Sequence, residues 1–150
     1  YPLRVERYEL NPSKVAPGKW RGGLGIVRET HFLQEGTVTC EGDRHKEAPK
    51  GIFGGKDGTS ASMTKFTTDG KAISLESKLS DEEFGKGDIL QICTPCGGGY
   101  GNPFERDPEL VLGDVLDGFT DIEDAKESYG VVIDASTMKV DEDATAKLRA

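Results

Sequence analysis

The sequence predicts an α+β fold: a mainly β first part, sandwich- or barrel-like, over residues 1–103, then a helical part with a small hairpin over 104–150. Three observations carry this. Before residue 104 the apolar residues fall in short β-rich runs, none of which holds a 3.6-residue period over a helix's length. The 20 glycines gather in clusters, Gly22-Gly23-x-Gly25, Gly51-x-x-Gly54-Gly55 and Gly97-Gly98-Gly99-x-Gly101, which mark places where a backbone turns with positive φ or approaches another closely. From Asp107 onward the pattern changes to capped amphipathic turns. A chain of 150 residues suits one domain burying roughly 68–70% of the surface its unfolded form exposes, so residues 1–150 are expected to form a single domain.

Taken in order, the strand signals are Leu3 to Leu10, Gly25 to Leu33, Thr37 to Glu41, Met63 to Thr67, Lys71 to Ser77 and Asp88 to Thr94. "TTDGK" at 67–71 reads as a hairpin, because Asp-Gly supplies the φ angles a tight turn demands. Gly87-Asp88 turns into the apolar run "ILQIC", and Asp81-Glu82-Glu83 reads as a solvated turn. Asp107 caps a helix with Pro108 in its first turn and an apolar stripe of Leu110, Val111, Val115 and Phe119. Thr120 with Glu123 forms a capping box for a second helix that runs to Tyr129 and ends at Gly130. "VVI" at 131–133 pairs with "MKV" at 138–140, and Asp141 caps a last helix.

With 19 basic against 27 acidic residues, a net charge of −8 and a pI near 4.8, the chain repels phosphate backbones, which argues against nucleic acid as a partner. No apolar run approaches the ~20 residues of a membrane span. "YPLRVERYEL" has neither the basic nor the apolar region of a signal peptide. A cytoplasmic location with no membrane partner is expected. Three cysteines are too few for a disulfide scaffold, and a reducing compartment fits them. The first residue is not Met and the chain opens within a strand pattern, so a piece of a longer polypeptide is expected.

The stretch "CTPCGGGYGNP" at 93–103 admits several chemistries. A redox Cys-x-x-Cys needs a helix N-terminus directly behind it, and none is predicted before Asp107. A zinc tetrahedron of Cys40, His45, Cys93 and Cys96 has one conventional half and one unusual Cys-x4-His half. The glycine run fits neither the P-loop nor the dinucleotide fingerprint, although its N–H groups can form an anion nest without a helix. Two further polar stretches stand out, "KWRGGLG" at 19–25 and "EGDRHKEAPKGIFGG" at 41–55. Arg21 and Arg44 suit a carboxylate or phosphate, and Asp43 or His45 suits proton transfer. Each of these also reads as an ordinary loop residue.

In this order, "YPLRVERYEL", "PGKWRGGLGIVRE", "DRHKEAPKGIFGG" and "GDILQICTPCGGGYGNPFERDPELVLGDVLDGFTDIEDAKESYGVVID" resemble the C-terminal part of the hydantoinase B / 5-oxoprolinase family, to which the acetone and acetophenone carboxylase large subunits are related. Thr94, Pro95, Gly97, Gly98, Gly99, Tyr100 and Gly101 match that family's glycine motif, whereas Cys96 stands where the pattern has glycine. The resemblance implies a B-type subunit of an ATP-dependent cyclic-amide hydrolase (N-methylhydantoinase or 5-oxoprolinase). Its A-type partner uses ATP to activate the substrate, and the B-type chain completes hydrolysis. It implies Asp43, Arg44 and His45 as catalytic candidates, and Arg21, Gly22, Gly23, Gly54, Gly55, Gly97, Gly98, Gly99 and Tyr100 as substrate-binding candidates. No metal ligand is assigned within these residues, and ATP and a divalent metal are expected elsewhere in the whole complex. The expected partners are the A-type subunit, the N-terminal part of the same polypeptide and a small-molecule substrate. The alternative is a non-catalytic assembly module of a carboxylase-type complex.

Overall fold

The computed structural model describes residues 1–11 and 15–150. Its strands are β1 (Leu3–Leu10), β2 (Ile26–Phe32), β3 (Gly36–Glu41), β4 (Ser62–Phe66), β5 (Ala72–Ser74), β6 (Lys78–Phe84), β7 (Ile89–Cys93), β8 (Ile133–Asp134) and β9 (Lys139–Val140). Its α-helices are α1 (Pro108–Leu116), α2 (Ile122–Tyr129) and α3 (Glu142–Arg149). The fold is α+β, mainly β in its first part, with every sheet antiparallel. It divides into two compact units whose segments interleave along the chain.

The first unit comprises Tyr1–Asn11, Gly25–Ala48 and Ser60–Pro95. A five-stranded sheet of order β1-β2-β7-β4-β5 and the ribbon β3-β6 enclose Phe32, Met63, Phe84 and Leu90, with Phe32 stacked on Phe84 at 4.6 Å between ring centres. Side chains alternate between faces, so Phe32 on β2, Leu90 on β7 and Met63 on β4 meet on the face the ribbon covers. Beside this core the Lys65 ammonium lies 3.8 Å from the buried Asp88 carboxylate and 4.7 Å from the centre of the Phe84 ring. The expected turn at Asp81-Glu82-Glu83 is instead the middle of β6, paired with β3. Leu79 and Phe84 flank the acidic residues and reach the core, and a bulge opposite Val38 to Cys40, with Asp81 at φ 53, lets the carboxylates point outward.

The second unit comprises residues 15–24, 49–59 and 96–150. Its core is Val111 and Leu112 of α1, Ala125 and Tyr129 of α2, and Val131 and Ile133. Asp107 caps α1 with its carboxylate accepting from the Glu109 N–H, and Pro108 follows, as the sequence predicts. The stripe is shifted from its predicted phase: Leu112 is in the core and Leu110 is exposed. Asp121, not Thr120, caps α2, accepting from the Asp124 N–H at 2.8 Å. A carboxylate at the cap gains from the helix dipole as well as from the hydrogen bond. Gly130 ends α2 at φ 64, β8 and β9 form the small hairpin, and Asp141 caps α3.

Candidate functional site

The glycine clusters of the second unit converge. Segments 16–23, 49–58 and 96–101 cross so tightly that backbone lies on backbone. A Cβ added at Gly22 would sit 2.0 Å from the Gly97 carbonyl oxygen, one at Gly55 2.1 Å from that of Gly99, and one at Gly98 2.3 Å from that of Lys50. Hydrogen bonds fix the crossing. Trp20 and Tyr100 exchange two, and Ile52 donates to Gly99 while accepting from Gly101. The N–H groups of Gly97, Gly99, Tyr100 and Gly101 therefore donate to the carbonyls of Gly23, Lys56, Trp20 and Ile52. These four are committed to protein and do not form an anion nest, so the crossing does not fit a phosphate held by its backbone. At Gly54, φ is +96, a conformation that favours glycine.

What the crossing presents outward is aromatic. Trp20, Phe53 and Tyr100 are 60%, 76% and 49% exposed, and Phe53 meets Tyr100 edge-on at 5.3 Å between ring centres. Phe53 holds φ at 51, a left-handed conformation costing of order 1 kcal/mol or more in a residue with a Cβ. Sequence reasoning placed Tyr100 at the site and missed Phe53. An aromatic residue enclosed by glycines in "GIFGG" was the available signal.

Beneath the same segments lies an ion cluster. The buried Asp114 carboxylate accepts from Arg21 Nε at 2.7 Å and from Arg106 Nη2 at 2.8 Å. Arg21 also donates to the Gly22 carbonyl at 3.1 Å, and its guanidinium stacks 4.7 Å over the Phe119 ring. Arg106 is buried and also donates to the Lys19 carbonyl at 3.2 Å. Asp114 is thus the anion that fixes Arg21, a pairing that no spacing in the sequence indicates. Tyr129 is buried with its hydroxyl unpartnered, and burial pushes that hydroxyl's pKa up to about 12.

Arg21, Gly22, Gly23, Gly54, Gly55, Gly97, Gly98, Gly99 and Tyr100 all belong to the second unit. Asp43, Arg44 and His45 belong to the first, on a loop lining a groove of about 430 Å³ with Lys46, Ser77 and Lys78. Arg44 has φ 64, and its carbonyl accepts from the Ala61 N–H. His45 Nδ1 lies 3.2 Å from the Asp43 carbonyl, which makes Nδ1 the protonated nitrogen, and the buried Nε2 has no partner. Among the described residues no group of three or more His, Cys, Asp or Glu is disposed to hold a metal ion, and no cysteine is in a disulfide. Cys40 and Cys93 lie on β3 and β7, while Cys96 is fully buried in the second unit.

A glycine-packed backbone crossing on an α+β frame is the class of structure these observations define. The family described as Hydantoinase B/oxoprolinase matches residues 1–103, and the chain belongs to the hydantoinase B/oxoprolinase family. It is 47% identical to a Pseudomonas protein named as the B-type subunit of a D-/L-hydantoinase, over 99% of this chain and 25% of that protein. It is 29% identical to the acetophenone carboxylase delta subunit of Aromatoleum aromaticum, over 100% of this chain and 26% of that protein. The crystal structure of the ATP-dependent caprolactamase from Pseudomonas jessenii superposes with a TM-score of 0.77 at 28% identity, over 99% of this chain and 26% of that one. The chain therefore spans about a quarter of the length of these relatives. Among the described residues no helix is long and apolar enough to cross a membrane.

Proposed function

We propose that this chain is a portion of the B-type subunit of an ATP-dependent enzyme that opens cyclic amides. Its glycine crossing would hold Trp20, Phe53 and Tyr100 as the apolar wall against which the substrate ring lies. The observation that carries this reading is Phe53, an exposed aromatic kept in a left-handed conformation on a backbone with no room to relax. Strain of this kind clusters at ligand sites. An aromatic wall binds a small ring through its area and leaves the amide edge free for chemistry. The names of the hydantoinase and caprolactamase relatives support a cyclic amide as the substrate.

A lactam is a poor electrophile, and its oxygen leaves readily only once phosphorylated, which accounts for the use of ATP. In this proposal an A-type subunit performs that step and the B-type subunit delivers water. The loop of Asp43, Arg44 and His45 is proposed to supply polar groups for that second step. Neutral His45 offers Nε2 as a base, and Arg44 a cation for a developing carboxylate. ATP and the divalent metal are proposed to bind elsewhere in the assembly. The four engaged N–H groups of the glycine run and the lack of a clustered donor set among the described residues support that part of the reading. The cysteines, unbridged in this structure, fit a cytoplasmic location.

The test is phosphate release from ATP by the full-length B-type polypeptide reconstituted with its A-type partner. It would be offered 5-oxoproline, N-methylhydantoin, caprolactam, or acetone with bicarbonate, one at a time. Release coupled to ring opening, with KM raised about tenfold or more by Phe53→Ala and kcat little changed, is expected. Ring opening indifferent to Phe53→Ala and Trp20→Ala would remove the wall. Release only with ketone and bicarbonate would favour a carboxylase, the second reading, which rests on the 29% identity to a carboxylase subunit along the whole chain.

A further inference from the structure

The exposed edge of the first unit carries a self-complementary sequence. β1 is the terminal strand of its sheet and its side chains are almost all exposed, with Leu3, Val5, Tyr8 and Leu10 at 43%, 50%, 65% and 53%. An edge strand presents a row of unpaired N–H and C=O groups. The opposite edge, β5, is only three residues long, one of the usual ways in which a sheet blunts an edge. β1 has eight residues, "LRVERYEL", and nothing shortens it.

Laid antiparallel to itself about a point between Glu6 and Arg7, this strand sets Leu3 opposite Leu10, Arg4 opposite Glu9, Val5 opposite Tyr8 and Glu6 opposite Arg7. Every apolar residue meets an apolar one and every charge meets its opposite. In a regular strand this register fails. Facing residues in an antiparallel pair point to the same side of the sheet, whereas Leu3 and Leu10 are an odd number of residues apart. The bulge between Val5 and Arg7 supplies the missing step, because Glu6 is the extra residue. Opposite β2, Leu3, Val5, Tyr8 and Leu10 align with Phe32, Thr30, Arg28 and Ile26, while Arg4, Arg7 and Glu9 align with His31, Glu29 and Val27. The apolar set therefore shares one face and the charged set the other, as two-fold pairing requires.

We infer that β1 is a homodimer interface, at which two copies of this chain pair β1 to β1 about a two-fold axis and join their five-stranded sheets into one. The occupant is a second copy because a two-fold contact must be complementary to itself, and this strand is. Arg4 now contacts Glu6 and Arg7 contacts Glu9 within the same strand, exposed contacts that re-form across the interface. Beside Leu3 a groove of about 560 Å³, lined by Thr30, Phe32, Val38, Leu90 and Ile92, receives the partner's Leu10.

The test uses the full-length polypeptide that carries this chain, alone and in its complex, with its mass followed by sedimentation across a concentration series. A concentration-dependent dimer is expected. Arg4→Glu sets like charges opposite each other twice per interface and should weaken it about tenfold or more, and adding Glu9→Arg to it should restore the dimer. The double variant Val5→Cys/Tyr8→Cys should yield an interchain disulfide on oxidation. Circular dichroism checks that these exposed substitutions leave the fold intact. A monomer at every concentration, a dimer indifferent to Arg4→Glu, or β1 amides already protected from hydrogen exchange in the monomer would overturn the inference, the last by showing that the polypeptide covers its own edge.

Discussion

Two glycines of similar sequence context should respond to alanine in opposite ways. At Gly99 an added Cβ would lie 2.1 Å from the Pro17 carbonyl oxygen, 2.6 Å from the Pro17 carbonyl carbon and 3.1 Å from the Ala16 oxygen. A carbon-to-oxygen contact is comfortable from about 3.3 Å, so the two backbones must part by about 1.2 Å. Gly99 donates to Lys56 at 2.8 Å and accepts from Ile52 at 3.0 Å, and a displacement of that size takes at least one bond out of range. Overpacking costs about 1–3 kcal/mol and a buried unpaired backbone group about 1–3 more, so Gly99→Ala should destabilise by about 3–5 kcal/mol. At Gly23 nothing lies within 4 Å of the added carbon and φ is outside the left-handed region. Gly23→Ala should therefore be neutral or stabilise by up to about 1 kcal/mol through the unfolded chain. The assay is urea denaturation of the full-length polypeptide, with hydrogen exchange of residues 97–101 as the local readout. Equal responses, or unchanged exchange in Gly99→Ala, would refute the claim that glycine is needed here for backbone contact.

Asp114→Asn should destabilise by about 3–5 kcal/mol, measured by denaturant midpoint, because it leaves the buried Arg106 without its anion. Arg21→Met should cost less, since Arg106 still pairs with Asp114. Gly113→Ala, inside α1 with nothing within 4 Å, should stabilise by about 0.5–1 kcal/mol in the same assay. Tyr129, with a folded pKa of about 12 against an ordinary value near 10, contributes stability that is intact below pH 10 and lost as pH rises from there through 12. An alkaline titration of stability should fall by roughly 2–3 kcal/mol over that window, and Tyr129→Phe should abolish that component while costing little at pH 7.

Features governed by local rules were legible in the sequence. Asp107, Pro108, Gly130 and Asp141 each do what their positions predict, because caps depend on a few neighbouring backbone groups. β6 was not legible, since "KLSDEEF" has too many charges for a strand by propensity and is held by β3 and by Lys65, which lies 3.6 Å from Glu82. The match of Arg21 to Asp114 was equally hidden, because 93 residues separate the two partners in the chain. The family motif drew attention to the glycines but not to Phe53, whose importance comes from its conformation and exposure rather than from its spacing.

The density of glycine in "CGGGYG" has an explanation that involves no ligand. Gly97 to Gly99 run between two other backbones, and on this path a side chain at 98 or 99 would occupy the space of a neighbouring carbonyl. At Cys96 the strip has just entered the crossing, and its side chain is fully buried there while its carbonyl meets Gly58 of the neighbouring segment. The close approach therefore falls on Gly58, which lacks a Cβ to obstruct it. A thiol at 96 is thus compatible with a crossing that needs glycine at 98 and 99. A substrate that used this site would meet the aromatic side chains carried by the crossing rather than its backbone, which makes Phe53, Trp20 and Tyr100 the informative positions for specificity.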